Sequence, residues 1–470
     1  METIQTDICV IGAGSGGLSV AAGAVQMGAR VVLIEGHRMG GDCLNYGCVP
    51  SKALIAAGKH AHAMTEGAAF GVAPETPQVA YAKAMEHVQQ VIATIAPADS
   101  QERFEGLGVR VIRAQARFVS DREVEAGEAR IRARRFVIAT GSGPLVPPIE
   151  GLDKVPYLTN ETLWDLRDLP GHLLIVGGGP IGIELAQAHR RLGGRVTVLE
   201  AQTALGKDDP EAAAVVLKQL RAEGVEIVEG AEVQGVGGTP GKIEVETSKG
   251  QFQGTHLLIA VGRRANIDGL GLTAAGVAHD RAITVDAGLR TSNRRVHAIG
   301  DVAGGLQFTH VAGYHAGIVI RSMLFALPSK AKTAHLPWAS YTDPELAQVG
   351  LTEAQARKAH GTGVEVARFD MAENDRAVAE RRTEGFIKVM VVRGRPVGAT
   401  IVGKGAGDLI GLWSLAIANR LKMSAIAAMV APYPTLGELN KRAAGAYFTP
   451  RLFDNPTVRR VVGFVQRWLP

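Results

Sequence analysis

Apolar and polar positions along the chain repeat one pattern twice, about 165 residues apart. Each copy runs from an apolar strand through a glycine-rich turn into a helix of small residues, and then into a second apolar strand that ends in an acid. The copies extend from Asp7 to Glu35 and from His172 to Glu200. A strand, a G-x-G-x-x-G turn and a helix in this order are typical of a unit that binds a dinucleotide. We therefore predict two such units.

The three glycines of each turn have different tasks. The first makes the tight turn, the second lets phosphate oxygens approach the backbone, and the third allows close packing of helix against strand. The acid at the end of the second strand can bind the ribose hydroxyls of an adenosine. A glycine turn without a ligand explains one isolated match, but not two complete copies. The glycines are Gly12, Gly14 and Gly17, then Gly177, Gly179 and Gly182, and the acids are Glu35 and Glu200.

Shorter strand-like segments with glycine turns surround both units and predict antiparallel ribbons inserted into them. An apolar helix is predicted at about 310 to 327, and after Pro328 the pattern becomes a mixture of helices and strands. The predicted fold class is α/β, with two Rossmann-like dinucleotide-binding domains and a C-terminal α+β domain. The first domain is expected at 1–150 and again at 278–338, the second at 151–277, and the third at 339–470.

Composition and charge exclude several classes of function. The 51 basic and 46 acidic residues give a net charge of +5 that is spread along the chain, which argues against a nucleic-acid partner and a polybasic membrane tether. The N-terminus is unlike a signal peptide, and no uncharged apolar run reaches the roughly 18 residues that span a bilayer. We therefore expect a soluble, cytoplasmic protein.

Two of the three cysteines, Cys43 and Cys48, lie close together at the predicted start of a helix. A distorted first turn would bring them within disulfide distance, and the helix N-terminus would lower the pKa of a thiol there. A structural disulfide and half of a zinc site are alternatives, although a structural zinc needs a second pair of ligands. The pair follows the first dinucleotide unit by a few residues, which favours a redox role. Cys9 lies in an apolar strand and is expected to be inert core.

The motifs around these residues resemble those of the pyridine nucleotide–disulfide oxidoreductases, the family of dihydrolipoamide dehydrogenase, glutathione reductase and mercuric reductase. The resemblance covers essentially the whole chain. It implies a homodimer in which the first domain binds FAD, the second binds the nicotinamide dinucleotide and the third is a dimerisation domain. The motifs are G-G-x-C-L-N-x-G-C-V-P-S-K at 40–52, A-T-G-S at 139–142, A-V-G-R at 260–263 and A-I-G-D at 298–301.

The resemblance also implies a role for each motif residue. Cys48 would lie next to the flavin and Cys43 would be the outer thiol that exchanges with substrate. Lys52 would approach the flavin and pair with Glu184, so that it stabilises charge on the reduced ring. Other cofactor-binding positions are Thr140, Gly141, Asp301, the backbone near His310, and the motif glycines Gly41 and Gly262.

The charged residues that follow Glu200 bear on the choice between NADH and NADPH. A 2′-phosphate needs a nearby arginine or lysine, whereas a free ribose diol suits a carboxylate. No arginine follows Glu200 closely, and Lys207 is the nearest cation in the sequence. The expected donor is therefore NADH in preference to NADPH.

The chain departs from the family near its C-terminus. The segment 431–438, APYPTLGE, has Tyr433 where disulfide-reducing members have an acid–base histidine, while Glu438 keeps its place. A tyrosine with a pKa near 10 is a poor base for a dithiol. Mercuric reductases are similar in having tyrosine here, but they also carry a C-terminal cysteine pair that this chain lacks. Tyr433 could instead be a packed aromatic at the dimer seam, and its bond to Pro434 is a candidate cis peptide.

The electron acceptor is therefore predicted only as a class, a small-molecule disulfide, a thiol conjugate or a soft metal ion, with no resident metal. A dihydrolipoamide dehydrogenase-type enzyme is one alternative. Another is a membrane-surface NADH:quinone reductase, suggested by apolar residues that alternate with arginines in 456–470. Packing of that segment on the dimer or the fold core is the simpler interpretation.

Overall fold

The computed structural model describes residues 1–469. The strands are β1 (Glu2–Ile11), β2 (Val31–Glu35), β3 (Arg110–Arg113), β4 (Ala116–Phe118), β5 (Glu123–Ala126), β6 (Ala129–Ile138), β7 (Ser142–Pro144), β8 (His172–Val176), β9 (Arg195–Glu200), β10 (Glu226–Glu229), β11 (Val233–Thr239), β12 (Lys242–Thr247), β13 (Gly250–Gly254), β14 (His256–Ile259), β15 (Arg263–Ala265), β16 (Val296–Ala298), β17 (Pro337–Ser340), β18 (Glu345–Gly350), β19 (Val364–Asp370), β20 (Phe386–Val392) and β21 (Arg395–Gly403).

The α-helices are α1 (Ser15–Gln26), α2 (Gly41–Asn45), α3 (Cys48–Ala63), α4 (Tyr81–Ile95), α5 (Gln101–Gly106), α6 (Pro180–Arg191), α7 (Pro210–Ala222), α8 (Thr309–Phe325), α9 (Glu353–His360), α10 (Asp375–Ala379), α11 (Ala406–Leu409), α12 (Gly411–Ala418), α13 (Met423–Ala427), α14 (Glu438–Ala446), α15 (Thr449–Phe453) and α16 (Pro456–Trp468). The chain forms two compact units, one from residues 1–201 and 225–331 and the other from 202–224 and 332–469.

The first unit contains two parallel sheets, one for each repeat of the sequence pattern. In the first sheet the order is β3-β2-β1-β6, with β16 parallel to β6 and an antiparallel ribbon of β5 and β4 on the far side. The second sheet has the order β10-β9-β8-β14, and its strands are all parallel. Residues 8–11 of β1 and all of β2 are buried, as expected for strands covered on both faces.

The structure bears on three further predictions for the first unit. The strand-rich segments form antiparallel ribbons only in part, one of β4 and β5 and a three-stranded one of β11, β12 and β13. The other strands of these segments, β3, β6, β10 and β14, are parallel members of the two main sheets. The apolar helix expected at about 310 to 327 is α8. Cys9 is fully buried in β1, and burial raises the pKa of its thiol far above the usual value, so that it is inert at neutral pH.

The second unit is built on an antiparallel sheet of order β17-β18-β21-β20-β19, with helices α11 to α14 in the same unit. Trp413 of α12 is fully buried, and its indole nitrogen donates to Asn440 of α14 at 2.7 Å. The predicted α+β character of the C-terminal third is therefore confirmed.

Helix α7 belongs to the second unit, although it lies in the sequence between two strands of the second parallel sheet. Asp209 caps this helix by accepting the backbone N–H groups of Glu211 and Ala212. The buried ammonium group of Lys388 on β20 lies 2.8 Å from Asp209, 3.1 Å from Glu211 and 3.2 Å from Glu353. Three carboxylates thus surround one buried cation, and they fix α7 to the five-stranded sheet.

The predicted fold class is confirmed, whereas the four-part division into domains stays a prediction, since the structure shows only the two compact units. Within residues 1–469 no helix has both the length and the apolar composition that crossing a bilayer requires.

Candidate active site

The two glycine turns have the same geometry. Gly12 and Gly177 open them with φ angles of 103° and 112°, a region that favours glycine. A Cβ atom on Gly17 would collide with the carbonyl oxygen of Gly12, and a Cβ atom on Gly182 with that of Gly177. Around Gly14 and Gly179, by contrast, a Cβ atom would have no neighbour closer than 3.8 Å. Each turn therefore has a tight first glycine, an open second one and a closely packed third, as the sequence predicts.

The acids at the ends of β2 and β9 each accept hydrogen bonds from the backbone of the neighbouring glycine turn. Oε2 of Glu35 accepts the backbone N–H of Ala13 at 2.6 Å, and Oε1 accepts that of His37 at 2.6 Å. Oε2 of Glu200 accepts the backbone N–H of Gly178, also at 2.6 Å. In both copies the carboxylate thus accepts a hydrogen bond from the residue after the first glycine. This hydrogen bond holds the carboxylate at the edge of the turn, where the ribose of a dinucleotide would lie.

Cys43 and Cys48 lie on two different helices, so the prediction of one helix with a distorted first turn is wrong. Cys43 is in α2, and Cys48 is the first residue of α3. Pro50 explains the break, because in a helix that began at Gly41 its ring would clash with a carbonyl group four residues earlier. In the first turn of α3 the same proline is tolerated. The backbone N–H of Gly47 turns back to the carbonyl oxygen of Asp42 at 2.7 Å, which keeps the two cysteines adjacent.

The two thiols are electrostatically unequal. A hydrogen bond from the Cys43 thiol lowers the pKa of Cys48, and Thr309 and the charge of Lys52 lower it further. The same hydrogen bond, together with burial, raises the pKa of Cys43. The Sγ atom of Cys48 lies 3.5 Å from Oγ1 of Thr309 at the start of α8. In the reduced pair, therefore, Cys48 holds the negative charge and Cys43 keeps its proton.

Lys52 and Glu184 form the ion pair that the family resemblance implies. Nζ of Lys52 lies 2.8 Å from Oε2 of Glu184, and their side chains are 36% and 7% exposed. Lys52 follows Cys48 by four residues on α3, so both side chains lie on the same helix face. Glu184 comes from α6, directly after the second glycine turn. The pair therefore joins the dithiol helix to the helix of the second dinucleotide unit.

A polar network beside the dithiol was not predicted from the sequence. Nη2 of Arg263 lies 3.1 Å from Oδ2 of Asp42, the residue before Cys43, and its Nε donates to Oγ of Ser142 at 2.8 Å. Ser142 in turn donates to Oδ2 of Asp301 at 2.5 Å, and Asn160 donates to Oδ1 of Asp42 at 3.2 Å. Burial raises the pKa of Asp301, while Ser142 and Arg263 oppose that rise.

The second unit holds the remaining predicted site residues. The hydroxyl group of Tyr433 donates to Oδ2 of Asp375 at 2.8 Å, and this hydrogen bond to a carboxylate raises the pKa of the phenol. Tyr433 is 68% exposed, so it does not pack within its own chain. Glu438 begins α14 and pairs with Arg442 at 3.0 Å. The peptide bond between Tyr433 and Pro434 is cis, as expected.

Comparison with known proteins identifies the family. Residues 6–316 match the sequence profile of the pyridine nucleotide-disulphide oxidoreductases. The chain belongs to this family. Residues 336–444 match the dimerisation domain of the same family.

Individual relatives support the same family assignment. A mercuric reductase of Lysinibacillus sphaericus is 34% identical over 448 residues, which are 93% of this chain and 82% of that protein. A dihydrolipoyl dehydrogenase of Staphylococcus aureus is 34% identical over 454 residues, 94% of this chain and 96% of that protein. The HOCl-induced flavoprotein disulfide reductase RclA from Escherichia coli, solved as a Cu(II) complex, superposes with a TM-score of 0.85 and 28% identity over 94% of this chain and 99% of its own. The chain is accordingly an NAD(P)H-dependent flavoprotein disulfide oxidoreductase.

The first glycine turn fits the FAD that this family uses. The open side of Gly14 faces Gly41, whose φ of 61° and close approach to Gly14 leave no room for a side chain. Thr140 of the A-T-G-S motif approaches Gly12, the first glycine of this turn. Thr140 Oγ1 donates to the carbonyl oxygen of Asn266 at 2.7 Å, Gly141 and Gly262 have φ angles of 68° and 143°, and the His310 ring stacks on Phe308 at 5.4 Å between ring centroids.

Asp42 offers a test of how the network acts on the dithiol. Its negative charge raises the pKa of both thiols. In an Asp42→Asn variant we expect the reduced enzyme to react with iodoacetamide about threefold faster at pH 6, because loss of the charge favours the thiolate. The pH profile of alkylation is the measurement.

The matched control is Asp121→Asn, which removes an exposed carboxylate that pairs with Arg122. It should leave the profile unchanged. A slower reaction of Asp42→Asn at pH 6 would contradict an electrostatic role for this carboxylate.

Proposed function

We propose that this enzyme passes electrons from NADH to a soft metal ion bound by thiolates, with Cys43 and Cys48 as the redox pair. The observation that carries the proposal is the hydrogen bond from Tyr433 to Asp375. It engages the only proton of the phenol and raises its pKa, so Tyr433 is neither a base nor a free proton donor at neutral pH.

Proton balance favours a metal acceptor over a disulfide. Reduction of a disulfide by NADH consumes one proton and produces two thiols, so a group near the outer thiol must deliver protons. Reduction of a divalent soft metal ion to the metal by NADH releases one proton. If the ion arrives with two small thiolates, the dithiol displaces them and they take up their protons from solution, so no step needs an acid beside the outer thiol. A site without a histidine base is therefore better suited to the second reaction. The relatives named mercuric reductase support this choice.

The dithiol is arranged for metal capture. Soft divalent ions bind thiolates in preference to oxygen ligands. Cys48 carries a thiolate at neutral pH, and Cys43 shares its proton with it, so a metal ion that displaces this proton can bind both sulfur atoms. When the metal ion is reduced, the two sulfur atoms lose two electrons in total and form the Cys43–Cys48 disulfide.

The other residues of the first unit hold the cofactors in this proposal. When bound, FAD supplies the two-electron chemistry that connects a nicotinamide with a disulfide. Gly12 and Gly17 shape the turn, Gly14 would leave room for its pyrophosphate and Glu35 would bind its ribose. Lys52, held by Glu184, would place a positive charge beside the flavin and stabilise the negative charge of the reduced ring. Gly177, Gly179, Gly182 and Glu200 form the corresponding site for NADH, and Asp301, Thr140, Gly141, Gly41, Gly262 and the backbone near His310 complete that for FAD.

We further propose that the active form is a homodimer. The match of residues 336–444 to the family's dimerisation domain supports this, and so does the large exposed fraction of Tyr433. In such a dimer Tyr433, Asp375 and Glu438 of one subunit would serve the dithiol of the other.

The test is anaerobic NADH oxidation with separate acceptors. With mercuric ion presented as a complex with a small thiol, we expect turnover at least about tenfold faster than with lipoamide or glutathione disulfide, because only the disulfides need an acid–base group. Ubiquinone is an additional acceptor, NADH oxidation by oxygen is measured separately in air, and NADPH is tested beside NADH as donor.

A Tyr433→His variant sharpens the comparison. Histidine restores a group that titrates near neutral pH, so turnover of lipoamide should rise about tenfold while that of mercuric ion changes by less than about twofold. Faster turnover of lipoamide than of mercuric ion in the unchanged enzyme would contradict the proposal.

A further inference from the structure

The C-terminal helix α16 exposes an apolar face. None of the residues of this helix is buried, and its large apolar side chains from Val461 to Trp468 are each more than a third exposed. Phe464 and Trp468 have exposed fractions of 61% and 68%. The helix therefore does not pack on the core of its own chain, which was part of the simpler interpretation of this segment.

The apolar side chains of α16 are segregated from the polar ones. At about 100° per residue, the apolar side chains lie within an arc of about 160°, and the polar ones other than Thr457 lie within an opposite arc of about 120°. The apolar side chains are Val458, Val461, Val462, Phe464, Val465 and Trp468, and the polar ones are Arg459, Arg460, Gln466 and Arg467. This division is that of a helix that lies flat at an apolar–polar boundary.

All charged side chains of α16 are positive. The segment 456–470 contains three arginines and no acidic residue, and no lysine. An arginine side chain binds phosphate through two parallel N–H bonds, and its aliphatic stem can lie along apolar surface while the guanidinium reaches polar headgroups. Trp468, near the end of the helix, is a residue that favours the boundary between water and hydrocarbon. Both features fit an anionic lipid surface.

The length of the helix excludes one other use, and its position in the chain argues against a second. Its thirteen residues span about 20 Å, which is shorter than the roughly 30 Å of a bilayer core. It also begins a dozen positions after residue 444, where the match to the family's dimerisation domain ends. The helix is therefore too short to cross a membrane and lies outside the region that the family uses for dimerisation.

We propose that α16 docks the enzyme on the surface of a membrane that contains anionic phospholipids. The apolar face enters the headgroup layer and the arginines bind lipid phosphates. This inference is independent of the electron acceptor, because α16 contains none of the residues assigned to the dithiol or the cofactors.

Flotation of the purified holoenzyme with lipid vesicles tests the proposal. We expect the full chain to float with vesicles that contain 30% phosphatidylglycerol, and roughly tenfold less of it to float with pure phosphatidylcholine or in 0.5 M KCl, where charges are screened. A Phe464→Asp/Trp468→Asp variant and a chain that ends at residue 455 should both lose binding. Met27→Asp/Val72→Asp, which places the same two charges at two other exposed apolar residues, should bind as the unchanged protein does.

Sedimentation of the same proteins distinguishes a second copy of the chain as the occupant of this face. If the shortened chain becomes monomeric and the full chain does not float with anionic vesicles, α16 is a subunit contact and the proposal is wrong. Equal flotation of the full and shortened chains would also overturn it. Mercuric-ion turnover without lipid should be the same for both chains if the proposal holds.

Discussion

Replacing Cys48 with serine is expected to lower turnover of every acceptor by about 1000-fold or more, about 4 kcal/mol in barrier height. It should also remove the long-wavelength absorbance that a thiolate next to an oxidised flavin gives. The reason is the inequality of the pair, because Cys48 is the thiol whose pKa is lowered by Cys43, Thr309 and Lys52. Anaerobic titration of the reduced enzyme, followed by absorbance, is the measurement.

Two further cysteine variants serve as controls. Cys43→Ala should also lose turnover but keep the absorbance, and the pH at which the absorbance is half developed should rise, since Cys48 loses its main hydrogen-bond donor. Cys9→Ala should change neither property, because Cys9 is buried in β1. If Cys48→Ser kept the absorbance and Cys43→Ala lost it, the proposed roles of the two thiols would be reversed.

A Lys52→Met variant is expected to be reduced by NADH about 100-fold more slowly than the unchanged enzyme. A fixed charge that stabilises a developing anion in a site contributes on this scale. The variant should also need a higher pH for the long-wavelength absorbance, because the charge of Lys52 lowers the pKa of Cys48. Stopped-flow absorbance with excess NADH measures both effects.

Stability must be separated from chemistry in this experiment. Loss of Lys52 takes the ammonium group away from the nearly buried carboxylate of Glu184, at a cost of about 1–2 kcal/mol after allowance for the exposure of Lys52. A Lys52→Met/Glu184→Gln double variant should regain that stability without regaining the rate. Lys59→Met, two turns further along α3, is the matched control. Recovery of the rate in the double variant would show that Lys52 has only a structural role.

Much of the fold could be predicted from the sequence because it rests on local signals. The two glycine turns require positive φ angles and close packing at fixed spacings, so Gly12, Gly17 and their counterparts are readable without any structure. The antiparallel ribbons and helix α8 follow from alternating and apolar runs in the same way. The proline at position 50 was a local signal too, and its clash with a continuous helix could have indicated that Cys43 and Cys48 lie on separate helices.

The polar networks could not be predicted, because they join residues far apart in the sequence. Asp42 meets Arg263 and Asn160 across more than a hundred residues, and Tyr433 meets Asp375 across 58. Ser142 and Arg263 belong to the A-T-G-S and A-V-G-R motifs, yet a sequence motif does not predict the hydrogen-bond partner of each side chain. Helix α7 is a similar case, since Lys388, which joins its first turn to the sheet of the second unit, has no recognisable pattern around it.

The two glycine turns also differ in how much room surrounds them. A Cβ atom on Gly14 would already have Gly41 as a neighbour at 3.8 Å, whereas one on Gly179 would have no neighbour within 4 Å. Hydrogen bonds to Glu35 and Glu200 hold both turns in place without a ligand. A dinucleotide that bound there would therefore not have to order the loop. If the first turn binds FAD and the second NADH, the extra neighbour of the first turn would favour retention of the flavin, and the more open second turn would favour exchange of the nicotinamide dinucleotide in each catalytic cycle.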